Sequence, residues 1–141
     1  MSSFSISDVQ SKATPIDTVD LINQWFGGIK ERNAQALLSL LHPDMVLTTP
    51  FQTESISGNM NVLKTFKIFD QCVNNFNYQG VLVDGNIAAL RFDGDVGGEH
   101  LQGVDFFHFN QEGQVEKIEV MARPLAAVQA LRTVIDENNK R

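Results

Sequence analysis

Residues 101–123 read LQGVDFFHFNQEGQVEKIEVMAR. They form two β-rich runs around the turn Asn110-Gln111-Glu112-Gly113, and Pro124 ends the second run and starts a final helix. Successive strand residues point to opposite faces. Val104, Phe106 and His108 therefore share one face of the first run, and Leu101, Asp105, Phe107 and Phe109 share the other. A strand that is apolar on both faces must be covered on both, so this hairpin is expected at the centre of a curved antiparallel sheet.

Working outward, the runs 75–83 and 87–95 flank Asp84-Gly85-Asn86, a hairpin signal, and Gly97-Gly98 turns the chain into the central hairpin. The stretch 45–51 reads as a strand that Pro50 confines to an edge or an end. Helical spacing joins Ile22, Trp25, Phe26 and Ile29 behind a start at Thr14-Pro15-Ile16-Asp17, with Thr14 as cap and Pro15 in the first turn. Asn33 caps a shorter helix carrying Ala34, Leu37, Leu38 and Leu41, which Pro43 stops. A third helix carries Leu63, Phe66, Phe69 and Val73, and a last one carries Leu125, Val128, Leu131 and Ile135. Residues 1–13 read as a loose arm, 14–135 as one domain and 136–141 as a solvated tail. Helices segregated from a strand meander define an α+β fold, with a mostly antiparallel sheet covered on one face. The other face, which carries Phe107 and Phe109 in this reading, must either be exposed or pair with a second chain, and a homodimer through this outer sheet face is expected.

The 141 residues are 43% hydrophobic and 20% charged, with a net charge of −6. That balance fits one globular domain and offers no basic footprint for nucleic acid or an anionic membrane. Cys72 is the only cysteine, which excludes an internal disulfide and fits a reducing, cytoplasmic setting. No apolar run approaches the roughly 20 residues of a membrane span. No spacing of His, Cys or carboxylates suits a metal, and no phosphate loop or cofactor fingerprint is present. Neither a metal nor a cofactor is expected.

The segments LLHPD, VLTTPF, GVDFFHFNQEGQV and IEVMARPLAAVQAL together resemble the SnoaL-like branch of the nuclear transport factor 2-like superfamily, over about residues 14–135. The resemblance implies a cone of curved sheet and helices around a deep pocket, commonly in a homodimer. It implies a small hydrophobic ligand and cofactor-free isomerase, cyclase or hydrolase chemistry; a non-catalytic binding or dimeric interaction module is the alternative. Ketosteroid isomerases of the superfamily place a general-base Asp where Thr49 stands, an oxyanion-binding Tyr where Trp25 stands, and a protonated acid at the position read as Gln102. Two further polar positions become Leu41 and Phe66. Epoxide hydrolase-like members use an Arg and an Asp two residues apart, matched by Arg91 and Asp93, and a further Asp on the last strand, where Val120 stands.

These residues carry two readings each. Arg91 and Asp93 either line the pocket and hold a carbonyl, epoxide or water, or form an exposed pair while Ala88, Leu90 and Phe92 turn inward. His108 either works as a general acid/base in the pocket beside Gln102, or sits at its rim. The SnoaL-type cavity acid could be Asp93, Asp95 or Asp105, although Asp105, out of phase with Gln102, is expected on the dimer side. Trp25, Leu41, Thr49, Phe51, Phe66, Gln102 and Val120 are the expected wall residues, with Asp93, Arg91 and His108 as the acid/base group.

Overall fold

The computed structural model describes residues 16–139. The helices are α1 (Thr18–Glu31), α2 (Ala34–Leu40), α3 (Asn59–Cys72) and α4 (Leu125–Asn139); the strands are β1 (Leu41–Thr48), β2 (Ile56–Ser57), β3 (Asn74–Asp84), β4 (Ile87–Val96), β5 (Glu99–Phe109) and β6 (Val115–Arg123). One six-stranded sheet takes the order β2-β1-β6-β5-β4-β3. All pairs are antiparallel except β1 with β6, so the sheet is mixed towards one edge, as expected.

Local chemistry accounts for most element ends. Asp17 caps α1 by accepting from the Asp20 amide at 3.0 Å. Thr14 and Pro15, expected to start this helix, lie outside the described residues, as does the arm 1–13. Asn33 caps α2 through the Ala36 amide, as its sequence context indicates. β1 begins at Leu41, earlier than the run 45–51, because the His42-Pro43 segment stays extended against β6 across an irregularity in register. The last helix continues through residues 136–139, most of them exposed, where a solvated tail was expected.

Which sheet face is buried decides the function. On β4 the alternation is clean: Ala88, Leu90, Phe92 and Val96 are buried, while Arg91 is exposed. Partners across an antiparallel ladder share a face. Leu90 pairs with Asp105 and Ala88 with Phe107, so the odd-numbered side of β5 is the helix-covered one. Leu101, Asp105, Phe107 and Phe109 are accordingly at most 3% exposed. This reverses the expected assignment, in which Asp105, Phe107 and Phe109 faced a partner chain. Gly103 belongs to the same side, where a Cβ would meet the Phe92 ring at 2.4 Å, so glycine lets that ring lie flat on the strand.

Two apolar clusters fill the space between sheet and helices. One joins Ile22 and Trp25 of α1, Val62 and Leu63 of α3 and the β1, β5 and β6 interior; the other joins Val128, Leu131 and Ile135 of α4 to Phe92, Val96 and Leu101. No helix among the described residues is long and apolar enough to cross a membrane.

Candidate functional site

Between the clusters the sheet and helices part. A narrow cavity, with about 40 Å³ open to the centres of water molecules, runs between β1, α3, β5, β6 and α4. Its walls are almost wholly apolar, with Phe51, Phe66, Phe92, Val120 and Leu131 among them. Among the described residues, Asp105 is the only ionisable side chain on the wall. Cross-strand neighbours Leu90 and Val120 flank it, and no Lys or Arg among the described residues pairs with it.

An uncompensated carboxylate in such a place is costly, and the group responds by holding its proton. Burial pushes Asp105 up to about 7, against a smaller pull downward from the Tyr78 hydroxyl that hydrogen-bonds to it. That hydroxyl donates to Asp105 Oδ2 at 3.2 Å and accepts from Trp25 Nε1 at 3.3 Å. The direction of this relay is fixed, because an indole N–H can only donate. Burial, then the nearby Asp105 charge, raises Tyr78 well above 10, so it stays a phenol. Trp25 is itself 1% exposed and is wedged edge-on between Phe66 (5.5 Å between centroids) and Phe107 (5.1 Å). Packing on α1 thus orients Tyr78, and Tyr78 orients the acid.

Also on the cavity wall, Thr49 Oγ1 is buried and has no hydrogen-bond partner among the described residues. An unsatisfied buried hydroxyl costs about 1–3 kcal/mol, so it is a place where a ligand oxygen would gain. The segment after Thr49 is tied down from α4, where Arg132 Nη1 donates to the Phe51 carbonyl and Nε to Asp136.

Of the expected wall residues, Thr49, Phe51, Phe66 and Val120 do line the cavity. Leu41, 1% exposed, and Trp25 are core residues behind it, with Trp25 acting through Tyr78. The remaining placements are corrected. Arg91, Asp93, Gln102 and His108 belong to the outer sheet face, by the same cross-strand parity that brings Asp105 inside. There Gln79 donates to Asp93 Oδ2 (2.8 Å), Arg123 donates to Gln102 (2.8 Å), and His108 Nε2 lies 2.8 Å from Glu119. His100 bridges Asp93 (3.4 Å) and Asp95 (2.9 Å); its bond to Asp95 raises its pKa, and the same bond lowers that of Asp95. The structure does not bring Asp93, Arg91 and His108 into the hollow. Tyr78 escaped the sequence reading, although it is the chain's only tyrosine and shares a strand face with Phe76.

A curved, unclosed sheet covered on one face by helices is the architecture of the nuclear transport factor 2-like class. The family model described as SnoaL-like domain matches residues 22–118, and the chain belongs to that family. A steroid delta-isomerase from Pseudomonas aeruginosa is similar in structure, with TM-score 0.82 and 28% identity over 91% of this chain and 96% of that one. A cystatin-like-fold protein from Silicibacter pomeroyi matches with TM-score 0.78, 24% identity and 84% of each chain. A putative polyketide cyclase from Sinorhizobium meliloti matches with TM-score 0.60 and 18% identity over 75% of this chain and 100% of that one. Among curated proteins, none matches.

Proposed function

We propose that the chain takes a small hydrophobic carbonyl compound into the hollow and that Asp105 exchanges a proton with it, without a cofactor. One observation carries this: a carboxyl 3% exposed, on an apolar cavity wall, brought to about 7. A group titrating near the working pH is suited to act as base and acid in turn. As carboxylate it would take a proton from the carbon beside the carbonyl; as acid it would return that proton to another carbon, so the net change is an isomerisation. The negative charge developing on the ligand oxygen would be met by the Thr49 hydroxyl. The steroid delta-isomerase neighbour supports the reaction class, at 28% identity. Thr49, in place of the general-base Asp that the family resemblance leads one to expect, leaves Asp105 to serve both steps.

The test is a panel of cyclic β,γ-unsaturated ketones and small aromatic polyketides, followed by ultraviolet absorbance. Conversion should titrate near pH 7, and Asp105→Asn should lower it by about 100-fold or more while the ketone still binds. Unchanged turnover in Asp105→Asn would overturn the assignment.

A second reading, a non-catalytic binder, is favoured because no second ionisable group among the described residues lines the wall. It expects affinity without conversion for every ketone tried. We further infer a homodimer through the outer sheet face, supported by a concavity of about 340 Å³ there, beside Val104 and the 58% exposed Met121.

A further inference from the structure

A second cavity opens on the other side of the aromatic residues that wall the first. It lies between α1, α3 and β3, has about 290 Å³ open to water centres, and shares Phe66, Phe69 and Phe76 with the inner one. Those rings form a partition, with Phe69 edge-on to Phe76 at 5.3 Å and Phe76 edge-on to Tyr78 at 5.0 Å. Tyr78 links the two: it lines the outer cavity, and its hydroxyl donates to Asp105 on the inner wall.

Size requires the two to be used together. Some 40 Å³ holds little more than water. Pockets that enclose organic ligands run to roughly 300–1,000 Å³. A molecule that reaches Asp105 therefore needs more room than the inner cavity holds, and the outer cavity, which shares three rings with it, is the adjoining space.

The rim of that cavity is polar and carries Arg32, Lys67, Asp70 and Gln71. Arg32 Nη1 is a loose 4.0 Å from Asp70 with both side chains well exposed, and Lys67 makes no ion pair among the described residues. Two cations face one carboxylate, on a chain whose net charge is −6. The local charge runs against the overall one, at the place where the far end of a ligand would emerge.

We infer that the outer cavity is the mouth of the Asp105 site and selects hydrophobic ligands that carry an anionic group at the end remote from the carbonyl. The substrate class is then an oxo acid, with its carbonyl inside and its carboxylate between Arg32 and Lys67. This rests on the carbonyl-binding role proposed for Asp105.

The experiment compares 9-oxodecanoic acid, its methyl ester and 2-decanone by calorimetry, on wild type, Asp105→Asn and the double variant Arg32→Ala/Lys67→Ala. Arg32 and Lys67 lie outside the apolar clusters, and Asp105→Asn keeps the side-chain shape and an oxygen for Tyr78. At low salt the acid should bind roughly fivefold or more tightly than its ester, and the double variant or about 0.5 M salt should erase the preference. Equal binding of acid and ester by wild type, or a preference that survives in the double variant, overturns the inference. If wild type binds the ketone and exchanges the protons beside its carbonyl, Asp105→Asn does not exchange them, and no acid preference is seen, the inner-site reading stands and the mouth assignment alone fails. If the acid preference is present but Asp105→Asn leaves deuterium exchange at the carbons beside the carbonyl unchanged by NMR, the inner-site reading fails instead. No binding of any of the three refutes both.

Discussion

Replacing Asp105 by Asn keeps the side-chain shape and an oxygen for the Tyr78 hydroxyl, but removes the titrating group. In the folded protein Asp105 holds its proton up to about 7, against an ordinary aspartate value of about 3.8. Between those values the folded chain binds a proton that the unfolded chain has released. Unfolding is then favoured as pH rises, and wild-type stability falls across this window. Below about pH 4 both states are protonated, and above about pH 7 both are ionised, so the slope vanishes at each end. At about 1.4 kcal/mol for each tenfold, the full swing is of order 4 kcal/mol. For a domain of this length that corresponds to roughly 10–20 °C in Tm. Asp105→Asn lacks the swing. The assay is urea unfolding of both proteins from pH 4 to 8.5, read as the difference between them. Groups common to both cancel, including the His100 cluster on the outer face. Wild type should lose of order 4 kcal/mol relative to the variant as pH rises from 4 to 8. A constant offset at every pH would reflect packing only and is no objection. A difference that stays flat within about 1 kcal/mol would mean that the carboxyl ionises in the ordinary range. Burial would then not have raised Asp105, and the function proposed for that carboxyl would be refuted.

Tyr78→Phe removes the one hydrogen bond that pulls Asp105 downward and strands Trp25 Nε1–H. It should raise the Asp105 titration seen by carboxyl carbon NMR and cost about 1–3 kcal/mol in urea unfolding. Thr49→Val replaces an unsatisfied buried hydroxyl by a methyl of similar shape; it should stabilise by about 1 kcal/mol in the same assay and weaken ketone binding in calorimetry. Met121→Glu places a charge on the outer sheet face and should shift a dimer towards monomer in light scattering, with the ketone affinity of the hollow unchanged.

The fold was legible because its signals are local and repeated. The stripe of Ile22, Trp25 and Ile29, the Asn33 cap, the Asp84-Gly85-Asn86 turn and the Gly97-Gly98 turn each act within a few residues, and they agree. The site was less legible because it depends on a face, and β5 taken alone carries large apolar residues on both. A longer-range signal was nevertheless present in the chain. On β4, Ala88, Leu90 and Phe92 alternate with Arg91, Asp93 and Asp95, a one-sided pattern with a single sensible burial.

The two-residue Gly97-Gly98 connection then sets the register, pairing Val96 with Glu99 and, six residues further along each strand, Leu90 with Asp105. Since ladder partners share a face, the polar side of β4 cannot be interior unless Asp105 is exterior, and the reverse holds equally. Burying Leu90 therefore carries a carboxylate into the hydrophobic interior with it. Nothing in the composition of β5 reveals that, because the cost of the buried acid is offset from elsewhere: by the Tyr78 hydroxyl from β3, itself held by the Trp25 indole from α1. A carboxyl that only an ordered relay from two other elements makes tolerable is an expensive way to fill a core. Leucine at that position would pack against Leu90 and Val120 with no such support. The acid is better understood as kept for the molecule that enters the hollow than for the stability of the fold.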